Sequence, residues 1–275
     1  MNFTIIGSSG FIGAEMKQYL LDLGHDVYCP KKNEAQVFEI DLGIVIYCAG
    51  YGDCTSGFFN VLDANVTLLS NILQKADFEK LIYISSTRVY MNQSKTFESS
   101  DLTICADDNR RLFNLTKLVA EELCLKSNRN AYIIRPSNVY GTALNSPLFL
   151  PSITKNAILN GQIDMYVPPD YEKDYISVED VVSCCYKIAQ EMDLKDKVIN
   201  IAAGYNVTAR EISNALSQET NCKVIWHDLN FPRENFEEIC ISTLKNIVPD
   251  YEPKYILKDL SSMVVDFKNS LNICR

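Results

Sequence analysis

A chain of 275 residues with a formal net charge of −9 lacks the basic surplus that nucleic-acid binding requires, and its length suffices for one large domain or two closely packed ones. Its ten cysteines follow no repeated spacing and are accompanied by only two histidines, so we predict reduced thiols and no metal site. Residues 1–6 are too short for the apolar part of a signal peptide and no apolar run of about 18 residues follows, so we expect a cytoplasmic protein without a membrane partner.

Strands and helices alternate through the first half of the chain. Short apolar runs predict strands at residues 2–6, 26–30, 43–50 and 80–86 and a strand with a turn at 131–141, and helical spacing predicts helices at 11–25, 61–74 and 109–126. This alternation is typical of an α/β fold with a Rossmann-type, doubly wound and mostly parallel sheet. Because only about a dozen residues separate the strands at 26–30 and 43–50, we expect one crossover unit to be shortened or absent.

The last third of the chain is less regular. Proline-rich loops at 144–152 and 166–177 are followed by helices predicted at 178–192 and 208–219. We expect a dinucleotide-binding domain of residues 1–145 and 174–205, and a smaller C-terminal substrate-binding lobe of residues 146–173 and 206–275.

Three glycines stand where the first strand ends and the first helix begins, in GSSGFIG at residues 7–13. Gly7 permits a tight turn, Gly10 lets the backbone approach a pyrophosphate at the helix N-terminus, and Gly13 allows close packing of helix on strand. The spacing is GxxGxxG, and a purely structural turn is the alternative. In this context the glycines favour a dinucleotide-binding turn.

Seven segments carry a resemblance to one enzyme family: GSSGFIG, YCAG, DANV, YISSTRVY, NLTKLVAEEL, RPSNVYG and KDYISVEDV, in the family's order. Over nearly its whole length the chain resembles the extended short-chain dehydrogenase/reductases, which include nucleotide-sugar epimerases, dehydratases and reductases. The resemblance implies a nucleotide-diphosphate sugar as substrate and a pyridine dinucleotide as cofactor. The cofactor-binding positions would be Gly7, Ser9, Gly10, Phe11, Ile12, Gly13, Lys31, Lys32, Cys48, Ala49, Gly50, Lys117, Pro136 and Val139.

The end of the second strand bears on the form of the cofactor. NAD enzymes usually place an acidic residue there, on the adenosine ribose, whereas this chain has Pro30, Lys31 and Lys32. Two ammonium groups would favour a 2′-phosphate, so we predict NADP(H) as the preferred cofactor, with NAD(H) as the alternative if the lysines form only a solvated turn.

The candidate catalytic residues are Ser86, Phe113 and Lys117. In the family a tyrosine transfers the proton, and a lysine four residues later on the same helix face lowers its pKa. Here the YxxxK motif is FxxxK, because Phe113 precedes Lys117 by four residues. Ser86 aligns with the family's serine or threonine that hydrogen-bonds the reacting oxygen, and Lys117 would hold the nicotinamide ribose.

Three interpretations of Phe113 remain open. It is a deliberate substitution that traps a complex, or a natural variant that relays the proton through Ser86 or a water, or the mark of a relative that only binds its ligands. Tyr83 and Tyr90 flank the serine, where structural roles are expected.

On the substrate side, the resemblance assigns Ser86, Thr87, Asn138 and Arg233 to substrate binding. Asn138 would meet the substrate phosphates and Arg233 would clamp the diphosphate, with a capped turn and a surface arginine as the alternatives. Asn65 is placed at the start of a helix, where we favour a capping role.

We interpret the chain as an NADPH-dependent reductase of a nucleotide-linked 4-keto (deoxy)sugar, impaired by Phe113. The alternatives are an NAD-dependent nucleotide-sugar epimerase and a non-catalytic nucleotide-sugar binder. Apolar stripes on the helices near 61–74 and 109–126 also predict a homodimer with a four-helix interface.

Overall fold

The structure is a computed structural model that describes residues 1–144, 146, 148–228 and 234–273. Its strands, in chain order, are β1 (Asn2–Ile6), β2 (Asp26–Tyr28), β3 (Ile44–Tyr47), β4 (Lys80–Ile84), β5 (Ala131–Pro136), β6 (Asn138–Tyr140), β7 (Gln162–Met165), β8 (Glu172–Lys173), β9 (Tyr175–Ser177), β10 (Val198–Ile201), β11 (Val207–Thr208) and β12 (Lys223–Trp226). The α-helices are α1 (Phe11–Asp22), α2 (Phe58–Leu62), α3 (Leu68–Lys75), α4 (Arg111–Lys126), α5 (Phe149–Asn160), α6 (Val178–Gln190), α7 (Ala209–Thr220), α8 (Ser242–Ile247) and α9 (Ile256–Ser270).

Six strands form one parallel sheet in the order β10-β5-β4-β3-β1-β2, which confirms the predicted α/β, doubly wound fold. The central strands β3, β4 and β5 are buried along their whole length, as expected for mainly apolar strands that helices cover on both faces, and Lys80 of β4 and Arg135 of β5 are the charged residues buried with them. Between β2 and β3 the crossover is reduced to one 3₁₀ turn, Ala35–Phe38. The predicted shortening of this unit is therefore confirmed.

Several predicted bounds were wrong at the carboxyl edge of the sheet. The strands expected at 26–30, 43–50 and 80–86 end at Tyr28, Tyr47 and Ile84, because the following residues leave the sheet as loops. The strand expected at 131–141 divides, since β5 stays in the main sheet and β6 pairs with β9 in a separate two-stranded sheet. The helix expected at 61–74 is α2, a π-helical turn at Asp63–Thr67 and then α3.

The three largest apolar cores among the described residues position the site. Helices α1 and α6 cover one face of the sheet with side chains such as Met16 and Val181, and α3 and α4 cover the other with Ile72 and Ala120. A third core, formed mainly by α5, α7 and α9, lies in the C-terminal half and contains Phe267. The carboxyl edge of the sheet faces α5, α7 and α9, the helices of this third core.

The nine cysteines among the described residues are free thiols, and four of them are buried. Within the same residues, every helix is too short or too polar to cross a bilayer.

Candidate active site

The glycine turn after β1 is held by close backbone contacts. Gly7 has a φ of +89°, and a Cβ there would lie 2.6 Å from the Ala49 backbone nitrogen. A Cβ on Gly13 would lie 2.3 Å from the Gly7 carbonyl oxygen, so helix α1 can approach the turn only if this position is glycine. The sequence predicted both constraints.

Helix α1 begins at Gly10 without a side-chain cap, and its first turn contains no acidic residue. The first backbone N–H groups of a helix carry partial positive charge and need partners. These groups therefore form a cradle that suits the pyrophosphate of a dinucleotide.

A groove of about 1300 Å³ extends from this cradle along the carboxyl edge of the sheet. Eight of the predicted cofactor-binding residues line it: Gly7, Ser9, Gly10, Lys31, Lys32, Cys48, Ala49 and Gly50. Six others lie outside its lining: Phe11, Ile12, Gly13, Lys117, Pro136 and Val139. Val139 lines a second cavity instead.

The outer end of the groove carries charges of both signs. Lys31 and Lys32 are exposed there, and Lys75 of α3 lines the same groove. The Glu34 carboxylate accepts hydrogen bonds from the Tyr28 hydroxyl at 2.7 Å and the Lys31 backbone N–H at 2.7 Å. These bonds hold the pKa of Glu34 below its usual value. Sequence reasoning missed Glu34 and Lys75, which come from outside the expected strand end.

At the reaction centre, Lys117 is 5% exposed and its Nζ donates to the Ile84 carbonyl at 2.8 Å. Burial lowers the pKa of this ammonium group to about 8, against the favourable charge of Glu121. Ser86, two residues beyond Ile84, caps a 3₁₀ turn, because its Oγ accepts the Arg88 backbone N–H at 3.1 Å. Within the part of the chain that the structure describes, the Ser86 hydroxyl donates to no acceptor, so its proton is available to a substrate oxygen. Thr87, which follows it, is buried.

The Phe113 ring lies between two cations. The Lys117 Nζ is 5.6 Å from its centroid and the guanidinium carbon of Arg110 is 4.7 Å from it. The ring offers no transferable proton, and a phenol in its place would lie beside positive charge that stabilises a phenolate.

The two neighbouring tyrosines do not replace the missing phenol. Burial raises the pKa of Tyr83 well above its usual value. The Tyr90 hydroxyl donates to Asn200 Oδ1 at 3.0 Å and accepts from Arg135 Nη1 at 2.6 Å, and burial raises its pKa as well. Tyr83 is fully buried in the core and its hydroxyl has no hydrogen-bond partner among the described residues, whereas the Tyr90 hydroxyl belongs to a hydrogen-bond network; both side chains have the structural surroundings expected for them.

A buried ion pair supports this region from behind. Arg135 of β5 bonds the Glu121 carboxylate through Nε at 3.0 Å, and the Ser85 hydroxyl donates to the same carboxylate. Because Glu121 lies one turn beyond Lys117 on α4, the pair fixes α4 against the ends of β4 and β5. The serine and lysine of the reaction centre are fixed with it.

The capping role expected for Asn65 was wrong. Asn65 lies inside the π-helical turn and is fully buried. Its Oδ1 accepts from the Tyr51 backbone N–H at 3.0 Å, and its Nδ2 donates to Thr116 Oγ1 at 3.0 Å. It joins the loop after β3 to α4, because the extra residue of a π-turn rotates the side chain inward.

A second cavity of about 390 Å³ lies beside the reaction centre and is lined by several charged side chains. Arg88 bonds Asp108 at 2.8 Å and Glu234 at 2.9 Å, and the Tyr171 hydroxyl donates to Glu234 at 2.8 Å. Lys173 lies 3.9 Å from the Glu234 carboxylate, and burial lowers its pKa to about 8.

One of the predicted substrate residues lines this cavity. Asn138 lines it, with its Nδ2 donating to the Asp174 carbonyl at 2.8 Å. Arg233 lies outside the described residues. Sequence reasoning missed Arg88, Arg110 and Lys173. Arg88 and Lys173 had a signal, because they lie in the YISSTRVY and KDYISVEDV segments, whereas Arg110 lies in no such segment.

The loop after β3 lies between the groove and the cavity. A Cβ on Gly50 would lie 3.5 Å from Lys117 Nζ, and one on Gly52 would lie 3.3 Å from Arg110 Nη2. The groove and the cavity therefore meet at the start of α4.

Comparisons with known proteins agree with this geometry. The model of the NAD dependent epimerase/dehydratase family matches residues 3–202. No curated protein matches the chain by sequence.

Three solved structures illustrate the likeness in fold. MoeE5, in complex with UDP-glucose and NAD, has 18% identity and a TM-score of 0.86, covering 98% of this chain and 100% of its own. TunA, an NAD-dependent NDP-hexosamine 5,6-dehydratase, has 18% identity and a TM-score of 0.84, covering 98% of each chain. A tyrosine-to-phenylalanine variant of UDP-glucuronic acid 4-epimerase from Bacillus cereus, in complex with a fluorinated substrate analogue and NAD, has 17% identity and a TM-score of 0.83, covering 98% and 100%.

Proposed function

The chain belongs to the NAD dependent epimerase/dehydratase family, of the extended short-chain dehydrogenase/reductase type, and on that premise we propose that it is an NADPH-dependent reductase of a nucleotide-linked 4-keto (deoxy)sugar. The observation that carries the proposal is the meeting of an uncapped, glycine-lined groove and a cationic cavity at Lys117 and Arg110. A dinucleotide in the groove and a diphosphate sugar in the cavity would face each other there. We propose the bounds 1–145 with 174–205, and 146–173 with 206–275, for the parts that bind them.

The nicotinamide would supply the hydride when bound. The chain's own residues would act on the sugar oxygen: the Ser86 hydroxyl would donate a hydrogen bond to the carbonyl, and the Lys117 ammonium group would hold the cofactor ribose. Phe113 supplies no proton, so the proton needed by the product alkoxide would come slowly, from water or through Ser86. We therefore propose that proton delivery limits turnover.

Restoring a phenol tests this proposal. We expect Phe113→Tyr to raise turnover of 4-keto nucleotide sugars with NADPH by at least about tenfold, since general acids contribute roughly 10²- to 10⁴-fold. Initial rates over a panel of such sugars measure the effect, and Phe113→Leu, which changes the ring without adding a phenol, is the matched control. An inert Phe113→Tyr protein that still binds both ligands would indicate a non-catalytic binder.

Lysines 31, 32 and 75 at the outer end of the groove support the preference for NADPH. Side-by-side titrations with NADPH and NADH test it, with Lys31→Ala/Lys32→Ala expected to reduce the preference and Lys17→Ala, on the exposed side of α1, as control. Tighter binding of NADH than of NADPH by the unchanged protein would contradict the proposed preference for NADPH.

Glu34 favours a second candidate function. Its carboxylate lies at the same end of the groove as the lysines, where an acid would suit an adenosine ribose without a 2′-phosphate. Structurally similar epimerases contain NAD. An epimerase would retain oxidised NAD through its cycle, so NAD⁺ that copurifies with the protein would favour this candidate over the reductase.

We also propose a homodimer. Helices α2 and α4 contact each other and expose apolar side chains beside one another, among them Phe58, Leu62, Leu115, Val119 and Phe59, which is 71% exposed. Sedimentation at micromolar concentration should give a dimer. A monomer throughout that range would remove this proposal.

A further inference from the structure

Arg110 is at the N-cap position of α4 but makes no side-chain cap, and its guanidinium lies over the Phe113 ring with its carbon 4.7 Å from the centroid. It lines the second cavity and is closed in on the other side by the backbone of Gly52, where a Cβ would lie 3.3 Å from Nη2. This places a planar cation at the end of the cavity that adjoins the reaction centre.

The Glu234 carboxylate that lines the cavity and the neighbouring Asp108 carboxylate already have partners. Asp108 accepts from Arg88, from the Arg110 backbone N–H at 2.8 Å and from Asn114 at 2.8 Å. Glu234 is held by Arg88 and by the Tyr171 hydroxyl. Within the described part of the chain, the Arg110 guanidinium has no ion pair and no hydrogen bond. A guanidinium desolvated in this way, beside the positive charge of Arg88, has its pKa lowered and is stabilised by any anion that enters.

We propose that Arg110 is a specificity-determining residue that binds a carboxylate on the sugar ring of the substrate, so that the protein selects nucleotide-linked uronic acids over neutral and deoxy sugars. The planar fork of an arginine matches a carboxylate with two parallel hydrogen bonds. Contact with Phe113 assigns the anion to the reacting sugar, whereas Asn138 and Lys173 remain for the diphosphate. The inference rests on the proposed function and narrows its substrate class.

Equilibrium binding tests the inference, and the lack of a phenol at Phe113 would slow turnover during the measurement. Calorimetric titrations of the protein saturated with reduced cofactor would compare UDP-glucuronic acid with UDP-glucose and GDP-mannuronic acid with GDP-mannose. The wild type should bind the acid member of one pair at least about tenfold more tightly. Arg110→Gln should abolish that preference while the affinity for the neutral member changes by less than about twofold.

The matched control is Arg111→Gln. Arg111 is the next residue, is exposed, and donates from Nη1 only to the Ala106 carbonyl at 2.9 Å, so its loss should leave both affinities in place. Thermal unfolding establishes that each variant is folded. Should Arg110→Gln fail to fold, Arg110→Lys serves instead, because it keeps the charge but loses the fork and should reduce the preference severalfold.

Equal binding of acid and neutral sugars by the wild type, or equal weakening of both by Arg110→Gln, would overturn the inference and leave the proposed function intact. Failure of all four nucleotide sugars to bind would instead overturn the proposed function, and the inference with it.

Discussion

Helices α1 and α7 begin in opposite ways. At α7, Thr208 and Glu211 form a reciprocal capping box: the Thr208 Oγ1 accepts the Glu211 N–H at 3.2 Å, and the Glu211 carboxylate accepts the Thr208 N–H at 2.9 Å. At α1, Gly10 provides no side chain and the first turn has no acid. One helix start is satisfied by its own sequence, and the other is left for a ligand.

The difference separates stability from binding. A capped start contributes to the free energy of unfolding whether or not a ligand is present, whereas an uncapped start contributes only once an anion has bound. Lys117 resembles the uncapped start of α1, because its buried positive charge lowers the free energy of unfolding of the ligand-free protein. The predictions below test whether these positions respond as two classes.

The largest effect is expected at the uncapped start. Gly10→Asp should lower dinucleotide affinity by about 100-fold or more, because a carboxylate would occupy the cradle and repel the pyrophosphate. The free energy of unfolding without ligand should stay the same or rise slightly, since Gly10 has extended backbone and its Cβ would approach the Gly7 oxygen only to 3.4 Å. Fluorescence titration and urea unfolding measure the two quantities, and Gly10→Asn separates charge from bulk. If Gly10→Asp bound the dinucleotide with unchanged affinity, the contrast between the helix starts of α1 and α7 would be wrong.

A methyl group three residues later should destabilise the fold itself. Gly13→Ala places a Cβ 2.3 Å from the Gly7 carbonyl oxygen, which is rigid backbone, and we expect a loss of about 2 kcal/mol in the free energy of unfolding. Gly10→Ala is the control, because its Cβ meets nothing closer than 3.4 Å. Equal unfolding midpoints for the two variants would contradict the close approach of α1 to the turn.

The burial of Lys117 should give a pH-dependent effect. Its pKa is about 8 in the folded protein against 10.5 for the unperturbed group, so between these values the unfolded chain binds more protons and stability rises with pH. Compared with Lys117→Met, the wild type should therefore gain about 1 kcal/mol of unfolding free energy from about pH 7 to about pH 9. Parallel unfolding profiles for the two proteins would show that the ammonium group is not desolvated.

The smallest effect is expected at the capped start. Thr208→Ala should lose about 0.5–1 kcal/mol of unfolding free energy through the missing side-chain cap, with dinucleotide affinity unchanged. Urea unfolding and the same fluorescence titration check both statements. A fall in affinity would mean that the two helix starts are not independent.

The fold and the dinucleotide side could be predicted from the sequence because their signals are local. Apolar runs, a glycine triplet between strand and helix, and a short spacing between two strands determined the sheet, the turn and the reduced crossover. Ser86, Phe113 and Lys117 could be predicted as candidates from motifs, since each lies in a contiguous segment.

The substrate side could not be predicted in the same way. Arg88, Arg110, Lys173 and Glu234 are far apart in the chain and share no spacing, so only the packed structure brings them into one cavity. Asn65 was misplaced for a different reason, because a π-turn changes which way a side chain points without changing the residues that form it.

The reduced crossover also determines how the sheet ends. Without a further strand beyond it, β2 is the outermost strand on that side, and outermost strands invite pairing with other molecules. This edge is only three residues long, begins with Asp26, and is followed by Pro30 and two lysines. Short length, charge and proline are features that prevent edge-to-edge aggregation. The edge strand β2 is therefore protected against pairing with the strands of other molecules.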